Sequence, residues 1–162
     1  MIYIKLKVGD KVPKFKMYGT DRQPFTNETI KGKKTLLLFI PAAFTSTCTR
    51  EFCTVRDDIS RYNNLSVDVI GISVDSVYSL AKYKEEQQLN FTLASDFNKE
   101  VTEAFGISYE MSYGMKGAAR RSAFIVDEHG IIQYAEVVEK SGELPDFNAI
   151  HAVLEKMDAV KN

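Results

Sequence analysis

Apolar residues run unbroken from 36 to 40, in the segment T-L-L-L-F-I that starts at Thr35. A run of this kind, with no polar alternation, is the pattern of a strand covered on both faces. Pro41 follows and ends it, because proline has no N–H to give to a ladder. From Ser46 the period changes. Phe52, Val55, Ile59 and Tyr62 recur at three- and four-residue spacing, which predicts a helix over 46–62 with Thr45 or Ser46 as its N-cap. Residues 66–74 (S-V-D-V-I-G-I-S-V) read as a second core strand. Residues 76–88 read as a helix, 90–94 as a short strand, and 98–105 as a short helix stopped by Gly106. Residues 122–126 and 131–137 flank Asp127-Glu-His-Gly130 in a hairpin pattern. In 146–160, Phe147, Ile150, Val153, Leu154 and Met157 share one helical face. Upstream, 2–8 alternates and reads as an edge strand, and the turn-rich stretch 9–29 predicts short hairpin strands around 14–17. Strands alternating with helices, closed by a hairpin and a helix, predict an α/β chain. The expected architecture is one domain over 1–162, with a mixed central sheet flanked by helices and an N-terminal extension.

Length and charge narrow the function classes. The chain has 162 residues, enough to bury the core of one domain. Its formal net charge of -1 gives no electrostatic case for a nucleic-acid or anionic membrane partner. No apolar stretch is long enough to span a bilayer, and residues 1–8 lack the apolar core and cleavage site of a signal peptide. The expectation is a cytoplasmic protein in a compartment that keeps thiols reduced. Its two cysteines, Cys48 and Cys53, are too few for a disulfide scaffold; in such a compartment a pair is redox-active, metal-binding or inert. Two cysteines make half a zinc site, and His129 and His151 stand at no ligand-like spacing to them, so no metal or cofactor is expected.

The two thiols differ in placement. Cys48 lies four before Phe52 and seven before Val55, on the inward face and in the first helical turn. Free N–H groups and the helix dipole stabilise an anion there, the more so beside a cation. Position alone fits a nucleophile and a buried structural cysteine equally well. Cys53 is surrounded on the helix surface by Thr49, Arg50, Arg56, Asp57 and Ser60, a polar stripe. On a regular helix, residues five apart are separated by about 7.5 Å along the axis and point about 140° apart. A disulfide needs Cα atoms within about 6.8 Å. A bond between these two therefore requires the first turn to unwind.

Pro41, Thr45 and Cys48 fit the pattern P-x-x-x-T-x-x-C, and in this the chain resembles the peroxiredoxins. The string P-A-A-F-T-x-x-C is similar to the one-cysteine alkyl hydroperoxide reductase E type. The C-x4-C spacing is similar to the bacterioferritin comigratory protein, or peroxiredoxin Q, type. Gly9-Asp-Lys-Val-Pro13-Lys-Phe15, Gly71-Ile-Ser-Val-Asp75 and Arg121-Ser-Ala-Phe-Ile-Val-Asp127 resemble further family segments in the same order. The resemblance implies a thioredoxin-like fold and a thiol-dependent peroxidase of hydrogen peroxide and alkyl hydroperoxides. Cys48 would attack the peroxide and become a sulfenic acid. Thr45 would turn its hydroxyl toward the sulfur or the substrate, and Pro41 would shield the sulfur from water. Arg121 would supply the fixed cation. Strand alternation puts it and Arg120 on opposite faces, so one of the two serves; the family's arginine stands three before the Phe, which selects Arg121. Glu51 matches an acidic position that bonds the arginine, and from the residues alone it reads equally as a solvated helix charge. Cys53 would condense with the sulfenic acid, and thioredoxin or another dithiol would reduce the disulfide.

Other readings stay open. The P-A-A-F-T string belongs to a subgroup without a second cysteine, so a one-cysteine enzyme with Cys53 as bystander is one. A thioredoxin-like disulfide carrier is another, disfavoured because such carriers use C-x-x-C. A non-catalytic binding protein on the same fold is a third. By resemblance the chain is a monomer or a homodimer. Residues 109–116 (Y-E-M-S-Y-G-M-K) match no family motif, and the rim of a substrate entry and a dimer contact are both open for them.

Overall fold

The structure, a computed structural model, describes residues 4–110, 113–140 and 142–161. Seven strands form one sheet in the order β2-β1-β5-β4-β3-β6-β7. They are β1 (Lys16–Gly19), β2 (Pro24–Thr26), β3 (Lys34–Phe39), β4 (Val67–Ser73), β5 (Thr92–Ser95), β6 (Ser122–Val126) and β7 (Ile132–Val137). The continuous apolar run is β3. It lies between β4, parallel to it, and β6, antiparallel to it, and every residue of it is buried. The β1–β2 and β6–β7 hairpins close the two edges, so the sheet is mixed.

The alternation of β3 divides the core. Leu37 and Phe39 face a cluster with Phe15, Phe105 and Phe124, under the N-terminal segment and the short helix α4 (Glu100–Ala104). Leu36, Leu38 and Ile40 face a second cluster built by four helices: α1 (Ser46–Asp57), α2 (Ile59–Asn64), α3 (Val77–Gln87) and α5 (Phe147–Lys161). Of the residues expected inward on the last helix, Ile150 and Leu154 are fully buried, while Phe147, Val153 and Met157 pack at the cluster's edge. α1 lies close to the sheet because Gly71 stands beneath it: a Cβ there would come within 2.6 Å of Phe52 Cζ. Close approach of this kind is a reason for glycine inside a strand.

Two expected elements differ. The expected edge strand over 2–8 is not a strand where it is described; positions 2 and 3 lie outside the described residues. Asp10 accepts a hydrogen bond from the Lys7 N–H at 2.8 Å and turns the chain. The N-terminal segment reaches the β7 end of the sheet only after that turn, where the Gly9 N–H donates to Ile132 O and the Ile132 N–H to Asp10 O, each at 2.8 Å. Leu6 is anchored in the core, but Val8, the next apolar position of the alternation, is exposed. The helix expected over 46–62 is two helices. Asp58, at φ -114° and ψ 17°, leaves the helical region between α1 and α2, and its carboxylate meets His151 Nε2 at 3.5 Å. A short polar side chain with a partner off the helix is a common cause of such a break.

Candidate active site

The site forms where β3 ends and α1 begins. Cys48, Glu51, Phe52 and Val55 are the buried face of α1, at helical spacing. Cys48 is 1% exposed. Opposite it stands Arg121. Ser122 pairs with Phe39, so the residue before β6 lies level with the end of β3, and it shares a face with Ala123 and Ile125, the α1 side of the sheet. Arg121 Nη1 is 3.4 Å from Cys48 Sγ and 2.9 Å from Glu51 Oε1. Arg120 turns the other way, its guanidinium 4.5 Å from the Tyr109 ring centroid. The choice between the two arginines thus follows the pleat.

The electrostatics of this trio are set by burial. Burial pushes the Glu51 carboxyl up to about 7, against the opposing pull of the Arg121 hydrogen bond and charge. Its Oε2 is buried and has no hydrogen-bond partner among the described residues, which costs a neutral carboxyl less than a carboxylate. Arg121 is held above its usual value: burial works against its charge, but the Glu51 bond and Cys48 more than offset that. A Glu51 that is partly neutral near pH 7 leaves more of the guanidinium charge uncompensated beside the sulfur.

That shift has a consequence for stability. A carboxyl whose folded pKa is raised stabilises the fold fully below its unfolded pKa and loses that contribution as pH rises through the folded one. Relative to Glu51→Gln, the wild-type chain is expected to lose roughly 3 kcal/mol of unfolding free energy between pH 4.5 and pH 8. Denaturant unfolding of both proteins across that range checks it; a difference that does not change with pH contradicts it.

Thr45 occupies the N-cap position of α1, but its side chain makes no cap hydrogen bond. Its hydroxyl donates backward to Ala42 O at 2.9 Å instead of closing the N-terminal end of α1. Pro41 is half-buried. The loop between them is pinned by Asp75, which accepts from the Ala43 N–H at 2.8 Å and from Ser73 Oγ at 2.7 Å. Phe44, in the left-handed region at φ 67°, rests on Tyr83 with ring centroids 5.0 Å apart. Tyr83 Oη in turn meets Thr49 Oγ1 at 2.9 Å. Sequence reasoning missed Asp75, Tyr83 and Thr49. The one signal for Asp75 was its place just past a strand end in G-I-S-V-D.

Cys53 is a free thiol on another face of α1. It is half-buried, not exposed on a bare polar stripe, because the last turn of α3 covers it: Sγ lies 3.7 Å from Gln87 Oε1, and Arg56 Nη1 donates to Gln87 O at 2.7 Å. Further along, the Tyr109 N–H donates to Ala118 O and the Gly117 N–H to Tyr109 O, and Tyr113 is almost fully exposed. Positions 111 and 112 of that segment lie outside the described residues. Among the described residues, no three His, Cys, Asp or Glu side chains gather in a way that could hold a metal ion, and no helix is long and apolar enough to cross a membrane. The arrangement is that of a buried sulfur, at a helix N-terminus, facing a fixed cation, a setting that suits nucleophilic chemistry on an electrophile small enough to reach it.

The model of the AhpC/TSA family matches residues 8–135. The chain is 36% identical over 131 residues to Peroxiredoxin Bcp of Escherichia coli, covering 80% of this chain and 84% of that protein. Among solved structures, Peroxidoxin BcpB from Mycobacterium tuberculosis superposes with a TM-score of 0.84 at 26% identity, over 94% of this chain and 98% of that one. A peroxiredoxin-like protein from Aquifex aeolicus gives 0.86 at 24% identity, over 96% and 90%, and at that identity speaks for the fold alone.

Proposed function

This chain belongs to the AhpC/TSA family of peroxiredoxins, enzymes that reduce peroxides with thiols, and from that premise we propose that Cys48 is its peroxidatic nucleophile and Cys53 the cysteine that resolves it. The observation that carries the reading is the 3.4 Å approach of Arg121 Nη1 to a sulfur sealed in the first turn of α1. The Cys48 thiolate attacks one peroxide oxygen in line. The O–O bond breaks, the distal oxygen leaves with a proton as water or an alcohol, and Cys48 becomes a sulfenic acid. Arg121 offers its charge to the sulfur and to the negative charge developing on the oxygens. Glu51 orients the guanidinium. Thr45, released from Ala42 O by a rotation about its side chain, has a hydroxyl for the peroxide, and Pro41 walls the sulfur from water.

The sulfenic acid then condenses with the Cys53 thiol, forming the S–S bond and releasing water. With Cys53 turned toward Gln87, this step requires the first turn of α1 to open. The uncapped N-terminus and the exposed residues Phe44, Thr45 and Ser46 favour such local opening. Thioredoxin or a similar dithiol would reduce the disulfide by exchange. A second reading, Cys53 as a bystander, is favoured by the same contact with Gln87. Cys53→Ser separates them in a dithiol-driven peroxide-consumption assay. We expect turnover to fall on the order of tenfold or more, with sulfinic acid accumulating on Cys48. Undiminished turnover in the variant, with no disulfide in the wild type, would make the enzyme a one-cysteine peroxiredoxin.

A further inference from the structure

If resolution requires α1 to open, something must set how readily it does so. Its first turn is not held by a side-chain cap. Besides the Arg121 contact to Cys48, it is held laterally by a residue of a different helix. Tyr83, on α3, is fully buried and touches α1 and its lead-in on both sides of Cys48: its ring meets Phe44 before it and Phe52 after it, and its hydroxyl meets Thr49, the next residue. α3 has its own N-cap, Ser76, whose hydroxyl accepts from the Ser79 N–H, so the start of the helix that carries Tyr83 does not depend on α1. Opening takes Thr49 away from it and breaks the bond between the two hydroxyls. Loss of that bond disfavours the opened state by a factor on the order of tenfold.

We propose that Tyr83 is a positioning residue for the second step: through its hydroxyl bond to Thr49 it sets the balance between the closed turn, where Cys48 faces Arg121 and peroxide, and the opened turn, where Cys48 reaches Cys53. The proposal rests on Cys53 being the resolver. Its chemical consequence is a partition. In the closed turn the sulfenic acid meets a second peroxide, which transfers an oxygen to the sulfur, leaves as water or an alcohol, and gives sulfinic acid. In the opened turn the sulfenic acid loses water with Cys53 and gives the disulfide.

The test is Tyr83→Phe, which keeps the ring against Phe44 and Phe52 and removes only the hydroxyl. Thr49→Val removes the same bond from the other side. After a single equivalent of hydrogen peroxide, rapid quench and mass spectrometry read the rate of disulfide formation. A series at rising peroxide reads the sulfinic fraction. We expect each variant to form the disulfide on the order of tenfold faster and to need correspondingly more peroxide for the same sulfinic fraction, with the double variant no faster than either single one. A variant that had merely loosened the fold would slow the peroxide step and the condensation alike. A wild-type disulfide whose rate and sulfinic fraction are unmoved in both variants overturns the proposal while leaving Cys53 as resolver. No disulfide in any of the proteins overturns the Cys53 reading and the proposal with it.

Discussion

Cys48→Ser is expected to abolish peroxide turnover, lowering it by at least about 10³-fold. An alcohol oxygen is a far poorer nucleophile toward a peroxide than a cysteine sulfur. The fold should survive, because the exchange is nearly isosteric at a site only 1% exposed. A dithiol-coupled peroxide-consumption assay, with thermal unfolding as the control for folding, checks both halves. Turnover retained by a folded variant would move the nucleophile elsewhere.

Arg121→Gln is expected to have the next largest effect. It removes the cation 3.4 Å from Cys48 Sγ and the charge-assisted partner 2.9 Å from Glu51 Oε1 in one change. Loss of one preorganised charge at the reacting atoms should lower kcat/KM by about 10²–10³-fold. The same substitution strands Glu51, fully buried, without its cation. Breaking a buried pair in this way costs roughly 3 kcal/mol. The loss should be felt at pH 8, where the wild-type Glu51 is ionised against Arg121 and removing that cation pushes its pKa up further, and shrink at pH 5, below the wild-type value of about 7. Arg121→Lys should recover part of the stability and less of the activity, since an ammonium is more strongly hydrated and more flexibly held than the guanidinium whose Nη1 meets both sulfur and carboxylate. Steady-state kinetics and denaturant unfolding at the two pH values read these outcomes. Activity within about threefold of wild type in Arg121→Gln would remove the arginine from the chemistry.

The parts of this site that the sequence made legible are those fixed by local periodicity. The run over 35–40 marked the central strand, Pro41 its end, and the spacing 48, 52, 55 placed Cys48 on the buried side of α1. Strand alternation showed that Arg120 and Arg121 could not both serve, and the resemblance to the peroxiredoxins chose between them. The parts that were not legible depend on which elements pack together. Glu51 reads in isolation as a surface charge; it is buried because it falls on the same helical face as Cys48 and meets a cation 70 residues away. Cys53 lies on a polar stripe, yet α3 closes over it with Gln87, 34 residues on. Tyr83 and Asp75 act on the Cys48 loop across similar separations. Local breaks were also not legible: the Asp10 carboxylate turns an apparent strand, and Asp58, at φ -114°, interrupts an apparent helix.

On the proposed mechanism, one peroxide is taken by Cys48 and handed to Cys53 through an opened helix turn. Mass spectrometry of the protein treated with a single equivalent of hydrogen peroxide tests it most directly. The expected product is two hydrogen atoms lighter than the reduced chain, with a tryptic disulfide joining the peptides of Cys48 and Cys53. Oxygen added to Cys53 with Cys48 still a thiol, or a chain left unmodified, would contradict it.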